Sequence, residues 1–166
     1  GDPFPHSPDF LKLLDLRGHW AEVQPLTAGY LMASDIPPAN LRVTEDREWV
    51  GDIPIYTEFY STATLDTTTW QDGGGRNIFK DYCQHHRLPR GWSISGHFLE
   101  LCGLTNLAEE AWRASLARFG YGAMFGVRNE RLAMIPQACI PQMRELAQGH
   151  YSHGYIYEKL WLHLFG

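Results

Sequence analysis

The C-terminal segment 155–165 is the feature that most limits how this chain can fold. Ile156, Leu160, Trp161 and Leu164 recur at helical spacing, so an α-helix would place them on one face. Such an apolar face is stable only when other helices or a sheet cover it. Aromatic residues make up 13% of the chain, which also argues against disorder. The segment therefore predicts the closing helix of a packed, layered domain.

Hydrophobic spacing and capping residues predict several further helices. They cover approximately residues 8–17, 76–87, 95–102, 106–119, 129–135 and 140–147. Ser7 is the expected cap of the first helix, and Gly73, Gly74 and Gly75 are expected to form a flexible loop before the second. Residues 19–50 should contain little regular structure. The closing helix is expected to begin at Tyr155.

Strands are predicted in only two places. Residues 49–56 favour an edge strand because Pro54 cannot donate to a sheet on both sides, and residues 121–127 favour a buried strand. The predicted fold class is therefore α/β, helix-rich with few short strands. The chain has 166 residues and reads as a single domain, 1–166. Because the helical layer lacks a matching sheet, we expect the N-terminal sheet portion to be missing, as in a truncated domain.

Composition argues against some partners. The net charge is −5 and no run of Lys or Arg occurs, so binding to a nucleic acid is not expected. No apolar run approaches the roughly 20 residues that span a bilayer. The three cysteines form no C-x-x-C pair, which indicates free thiols in a reducing compartment and hence a cytoplasmic location.

Two groups of polar residues are candidates for chemistry. Asp2 and His6 flank a Pro-rich turn, where α/β folds commonly place metal or phosphate sites. His150, His153 and Glu158 lie close together along the chain, and Glu158 is suited to act as a base or to hold a hydroxyl group. Each group is equally compatible with an ordinary solvated turn or helix surface.

Other patterns are weaker. His85 and His86 are adjacent, so on a helix they point about 100° apart, and a solvent-facing pair is expected. The glycines 73–75 precede a helix but lack the Lys-Ser/Thr of a phosphate loop. Neither an H-E-x-x-H zinc motif nor a G-x-S-x-G nucleophile elbow occurs in the sequence.

Three stretches resemble a known family. They are Gly-Asp-Pro-Phe and the residues after it (1–10), the aromatic and Gly-rich segment with its following helix (121–132), and the closing Glu-x-x-Trp…Phe-Gly helix (154–166). Together they resemble a fungal and bacterial family catalogued as a domain of unknown function (number 3431). That family in turn resembles GT-A-type glycosyltransferases. The resemblance implies the C-terminal part of a GT-A-like three-layer domain.

The resemblance also implies roles for individual residues. Asp2 would bind a divalent metal, Mn or Mg, and Glu158 would face the acceptor as the second catalytic carboxylate. The residues implied in substrate binding are His6, Arg128, Asn129, His153 and Tyr155. Phe4 stands where a second Asp is expected, so the metal is in question, and Arg76 or Arg128 is an alternative partner for the diphosphate charge.

Three functions remain open from the sequence. The first is a glycosyltransferase-like enzyme that transfers a sugar from a nucleotide-sugar donor. The second is a non-catalytic module that binds a glycan. The third is a hydrolase that uses Asp2, His6 and Glu158 in acid–base catalysis. The enzymatic interpretations share one expectation: Asp2 and Glu158 should face each other across a cleft.

Overall fold

The fold is given by a computed structural model that describes Ser7 and residues 9–26, 48–55, 57–66, 73–120 and 124–166. The helices in these ranges are α1 Phe10–Asp15, α2 Gly73–His85, α3 Ile94–Leu101, α4 Thr105–Arg113, α5 Asn129–Leu132, α6 Ile140–Gly149 and α7 Tyr151–Phe165. Two single 3-10 turns cover Arg17–His19 and Gln137–Cys139. The strands are β1 Val23–Pro25, β2 Glu48–Val50, β3 Ile53–Ile55, β4 Thr57–Ser61, β5 Leu116–Gly120 and β6 Phe125–Val127.

The described strands form three antiparallel pairs: β1 with β6, β2 with β3, and β4 with β5. The longest pair, β4–β5, places Tyr60 opposite Ala117 and Phe59 opposite Arg118. The β2–β3 pair is a tight hairpin in which Gly51 adopts φ +63°, a left-handed conformation that glycine tolerates best. The predicted edge strand over 49–56 is thus two strands, with Pro54 opposite Trp49.

The main hydrophobic core lies between α2, α3, α4, α7 and the β4–β5 pair. Its central residues, which are fully or almost fully buried, include Tyr60, Tyr82, Phe98, Leu99, Phe119, Ile156 and Leu160. A smaller cluster joins α1 to the β2–β3 hairpin through Leu13, Val50 and Ile55. The predicted amphipathic closing helix is confirmed, because α7 buries Ile156, Leu160 and Leu164 against its neighbours.

The structure confirms the coarse fold class: the described chain is mixed α/β, helix-rich, with few short strands. The GT-A-like three-layer arrangement remains a prediction. None of the helices in the described ranges combines the length and apolar character that a membrane-spanning helix requires.

The predicted helix over 106–119 is wrong in its second half. α4 ends at Arg113, Ala114 is extended, and residues 116–120 form β5. The reason is tertiary: β5 pairs along its whole length with β4, and the Thr62 hydroxyl donates to the Ala114 carbonyl at 2.5 Å. Leu116 and Ala117 continue the helical spacing of α4 by sequence alone, which is why periodicity extended the helix.

The predicted flexible loop at Gly73, Gly74 and Gly75 is also wrong, because these residues form the first turn of α2. Glycine disfavours a helix by about 1 kcal/mol per residue. The rest of α2 outweighs that cost by burying Phe79 and Tyr82 in the main core. A glycine-rich loop that could hold a phosphate is therefore not formed at these residues.

Both predicted helix starts need correction. Ser7 does not cap α1: its buried hydroxyl donates to the Leu26 carbonyl at 2.7 Å, and the helix begins after Asp9. α7 begins at Tyr151 rather than Tyr155, because the His150 side chain accepts a hydrogen bond from the Ser152 amide and caps it. His153 therefore lies in the first turn of α7, and Glu158 lies in the middle of that helix.

Candidate functional site

The sequence-predicted site residues do not gather at one described site. Asp2 and His6 lie outside the described residues, so the expected cleft between Asp2 and Glu158 stays a prediction. Glu158 is partly exposed on α7, and Tyr155, one turn before it, is 49% exposed. Of the predicted site residues that the structure describes, His153 alone is buried, with 3% of its surface exposed.

Arg128 and Asn129 lie where β6 passes into α5, and both are exposed. Arg128 lines a surface depression of about 350 Å³ together with Glu22, Glu130, Arg131 and Met134. Arg131 is held by Glu22 at 2.6 Å, whereas Arg128 has no ion-pair partner in the described part of the chain. The depression therefore offers one guanidinium that no described carboxylate contacts, in a lining whose two Arg and two Glu residues balance in formal charge.

His153 belongs to a group of histidine side chains in mutual contact, and the sequence did not predict this group. Five of the chain's eight histidines are in contact, and we call them the histidine cluster: His85, His86, His97, His150 and His153. The His85 ring stacks on His150 at 4.5 Å between centroids, and His86 stacks on His153 at 5.4 Å. His97 meets His86 edge-on at 5.2 Å.

Three helices bring the histidine cluster together. His85 is the last residue of α2 and His86 follows it, still bonded from its amide to the Tyr82 carbonyl at 3.0 Å. α3 contributes His97, and the beginning of α7 contributes His150 and His153. The apolar faces of the same helices set this arrangement, because the buried Tyr82 and Phe98 rings pack against His153.

The prediction that His85 and His86 form a solvent-facing pair is wrong for His86. Its ring is partly buried and touches Tyr82 at 4.5 Å between centroids. The 100° between the two side chains sends His85 outward and His86 between α2 and α7.

Hydrogen bonds assign the protons of the central pair. His153 Nδ1 lies 2.6 Å from the Leu146 carbonyl oxygen, which can only accept, so Nδ1 carries the hydrogen. The neutral ring then has a lone pair at Nε2. His86 Nε2 lies 3.1 Å from that atom and must donate to it. In this arrangement the remaining lone pair of the two rings lies on His86 Nδ1. No described group donates a hydrogen bond to that atom.

The surroundings keep the central imidazoles neutral. Burial, reinforced by the neighbouring histidines, lowers the pKa of His86 to about 4. Burial also lowers the pKa of His97, against an opposing effect of Glu100, and that of His153, against the opposing hydrogen bond to Leu146. Tyr82, whose hydroxyl lies 2.6 Å from His97 Nδ1, has a pKa raised by burial and stays a neutral phenol.

A pocket of about 320 Å³ opens beside the histidine cluster. Its walls come from the end of α2, from α3, from α6 and from the start of α7, and the lining residues are His85, His86, Leu101, Gln142, Glu145, Leu146, Gly149 and His153. This open depression is partly apolar and contains a few polar groups and a residue of perturbed pKa, which makes it a candidate small-molecule site. We call it the histidine pocket.

Metal binding is not evident from this arrangement. In the ranges that the structure covers, no group of three or more His, Cys, Asp or Glu side chains is placed to hold a metal ion. The Mn or Mg site predicted at Asp2 lies outside those ranges. Cys83, Cys102 and Cys139 are free thiols, as the sequence predicted.

Comparisons with known proteins give no further constraint. No family model matches the chain. The curated proteins and the solved structures likewise yield no match. The site must therefore be interpreted from its own geometry.

The sequence indicates His150 and His153 as candidates but not the other three histidines of the cluster. It predicts a solvent-facing pair at His85 and His86, because adjacent residues of a helix cannot easily share one metal, and no motif assigns a role to His97. One signal was present: the chain contains eight histidines, and five of them fall in segments 85–97 and 150–153. Only the packing of α2 against α7 shows that these segments meet.

Proposed function

We propose that this chain is an enzyme in which His86 acts as a general base on a hydroxyl group or a water molecule held in the histidine pocket. The observation that supports the proposal is the 3.1 Å contact between His86 Nε2 and His153 Nε2, with His153 oriented by the Leu146 carbonyl. A base oriented by a second group that is itself fixed is the arrangement on which acid–base catalysis depends.

In the proposed step His86 takes a proton at Nδ1 while the oxygen of the hydroxyl or water attacks an electrophilic carbon or phosphorus. The bond to the leaving group breaks, and the leaving group departs with the bonding electron pair. The His86 imidazolium then returns the proton to the leaving group or to water. His153 partly stabilises the positive charge of this imidazolium, because the His153 Nε2 lone pair accepts the hydrogen bond from His86 Nε2–H.

A glycosyltransferase is the form of this function that the resemblance favours. In that case a sugar hydroxyl is the acceptor and a nucleoside diphosphate is the leaving group, and GT-A-like architecture and membership of family 3431 are part of the proposal. Arg128 supports it, because its guanidinium lines the 350 Å³ depression, forms no ion pair with a described residue and is able to bind a diphosphate oxygen. Mn or Mg at Asp2, Glu158 as the catalytic carboxylate that faces the acceptor, and substrate contacts from His6, Asn129 and Tyr155 belong to the same proposal, as does a cytoplasmic location.

Hydrolysis and glycan binding without catalysis are the competing forms. A hydrolase would use the same His86 base on water. A binding module would keep the histidine pocket without turnover. We place the enzyme before the module because the hydrogen bond from His86 to His153 leaves the Nδ1 lone pair of His86, which no described group occupies, able to take a proton.

The full chain should be incubated with a panel of UDP- and GDP-sugars and simple sugar acceptors, with and without Mn²⁺ or Mg²⁺. Nucleoside diphosphate release measures transfer. Nitrophenyl esters, phosphates and glycosides measure hydrolysis. We expect turnover that His86→Gln lowers by about 10- to 100-fold, less than a general base with a pKa near neutral contributes, because a pKa of about 4 makes His86 a weak base. His19→Gln, which changes an exposed histidine outside the histidine cluster, is the matched control and should retain wild-type activity.

Equal turnover by His86→Gln and the wild-type chain would contradict the proposal. Binding of sugars without any turnover would favour the glycan-binding module. Circular dichroism and thermal unfolding of both variants establish that the His86 variant is folded when its activity is compared.

A further inference from the structure

We infer that the histidine pocket takes a neutral, hydroxyl-rich ligand of the size of a small sugar and rejects phosphorylated ligands. This inference rests on the proposed function, because it names the substrate class of the same site. It assigns the histidine pocket to the hydroxyl-bearing partner of the reaction and not to a phosphorylated donor.

The charge of the lining carries the first part of the argument. Glu145 is the one acidic residue in the described lining of this pocket, and neither Lys nor Arg lines it. An anion needs cationic groups or several converging N–H donors to replace its hydration. Here it would meet a carboxylate instead, and two negative charges repel.

The nitrogen atoms of the wall lead to the same conclusion. The N–H donor of His153 at Nδ1 is engaged by the Leu146 carbonyl, and that of His86 at Nε2 is engaged by His153. The two central imidazoles therefore have no uncommitted N–H for a phosphate oxygen, and the other side-chain N–H donors of the lining, the His85 ring and the Gln142 amide, are not enough to replace the hydration of a phosphate. What they offer is the lone pair of His86 Nδ1, which suits the O–H donor of an alcohol.

The remaining lining fits a sugar. The Glu145 carboxylate and the Gln142 amide stand on α6, three residues apart and therefore on neighbouring positions of one helix face. Such oxygen atoms accept hydrogen bonds from adjacent hydroxyl groups. Leu101 and Leu146 provide an apolar part of the wall for the C–H face of a ring. The volume of about 320 Å³ is at the small end of ligand sites, which limits the ligand to one or two rings.

Equilibrium binding tests this inference without any need for turnover. Glucose, maltose and glycerol are compared with glucose 1-phosphate and glucose 6-phosphate at pH 7.5, by saturation-transfer NMR and calorimetry on the full chain. We expect the neutral sugars to bind at least tenfold more tightly than their phosphates. Glu145→Gln should weaken binding of the neutral sugars by about tenfold, the usual loss when a hydrogen bond to a charged group is removed.

Two variants sharpen the test. Glu145→Arg should bring glucose 6-phosphate binding to the level of glucose or above it, because it reverses the charge that excludes the phosphate. Glu109→Gln is the matched control, since Glu109 is an exposed carboxylate paired with Arg113 at 2.8 Å and does not line the pocket. It should bind all five probes as the wild-type chain does.

The inference is overturned if the sugar phosphates bind as tightly as the neutral sugars, or if none of the probes binds. It is also overturned if Glu145→Gln and Glu109→Gln give the same affinities. These results leave the proposed function standing as long as His86→Gln lowers turnover as expected. Conversely, sugar binding that depends on Glu145 together with undiminished turnover in His86→Gln supports this inference and contradicts the proposed base.

Discussion

At the scale of single residues, the histidines of this chain differ in their burial and in their neighbours, which the residue type alone does not show. His19 is exposed on a 3-10 turn, whereas His86 lies between α2 and α7 among four other imidazoles. The sequence does not distinguish the buried histidines from the exposed ones among the eight. Glu158 is the opposite case. The resemblance of the Glu-x-x-Trp segment to a known family implied a catalytic role for it, and the structure leaves it partly exposed in the middle of α7.

The thiols give a prediction at this scale. Burial is the main cause that raises the pKa of Cys102 to about 11, so little of it is thiolate at pH 8. We expect Cys102 to resist alkylation by iodoacetamide in the folded chain and to react after unfolding in guanidinium chloride. Mass spectrometry of proteolytic peptides measures the extent of modification.

The partly exposed Cys83 and Cys139 serve as internal references for reagent access in the same sample. Rapid modification of Cys102 in the native chain would contradict its place in the main core.

At the scale of elements, the sequence predicted α7 well because its apolar face is long and continuous. The error at the start of α7 comes from the His150 cap, a residue type not expected in that role. Strands were predicted poorly, because β1, β4 and β5 are short and depend on partners distant in sequence. β4 pairs with β5 across nearly sixty residues, and no local pattern carries that information.

Substitution of two helical glycines by alanine should change the free energy of unfolding in opposite directions. A Cβ at Gly96 of α3 would lie 2.8 Å from the Trp112 ring, whereas a Cβ at Gly154 of α7 meets nothing within 4 Å. Gly96→Ala should therefore lower the free energy of unfolding by about 1–3 kcal/mol, the usual cost of overpacking. Gly154→Ala should raise it by about 0.5–1 kcal/mol, the helix propensity gained.

Urea denaturation of the two variants beside the wild-type chain measures both changes. Equal effects of the two substitutions would show that the Trp112 ring does not pack against α3 as described.

At the scale of the whole molecule, the histidine cluster links stability to pH. The pKa of His86 is about 4 in the folded chain and 6.5 in the unfolded chain, so the unfolded state binds more protons between these values. Stability should be constant above about pH 6.5, fall as the pH drops towards 4, and then level off for this group. His97 and His153 shift in the same direction and add to the fall.

We expect His86 to account for about 1–2 kcal/mol of the loss between pH 7.5 and 4.5, less than the full linkage value because its ring is partly exposed. The groups around it are His85, His97, His150 and His153, so its protonation is opposed from α2, α3 and α7 alike. Chemical denaturation of wild type and His86→Gln at both pH values measures this share. A loss of equal size in the variant would assign it to other groups.

The site as a whole could be only partly predicted from the sequence. The apolar faces of α2, α3 and α7 were visible, and their packing is what brings the histidines together. The contact itself depends on the path of the chain between residues 86 and 153, which no local pattern records. The glycosyltransferase resemblance directed attention to Asp2 and Glu158, and the geometry of the described residues directs it to His86.

The central claim is that His86 and His153 share a hydrogen bond between neutral rings with defined protons. Long-range ¹H–¹⁵N NMR spectra of the full chain at pH 7.5 report directly which ring nitrogens are protonated, with His86→Gln and His153→Gln to assign the signals. We expect His153 to carry its hydrogen on Nδ1 and His86 on Nε2. Two rings that average both tautomers as free imidazole does, or a charged His86 at this pH, would contradict the account.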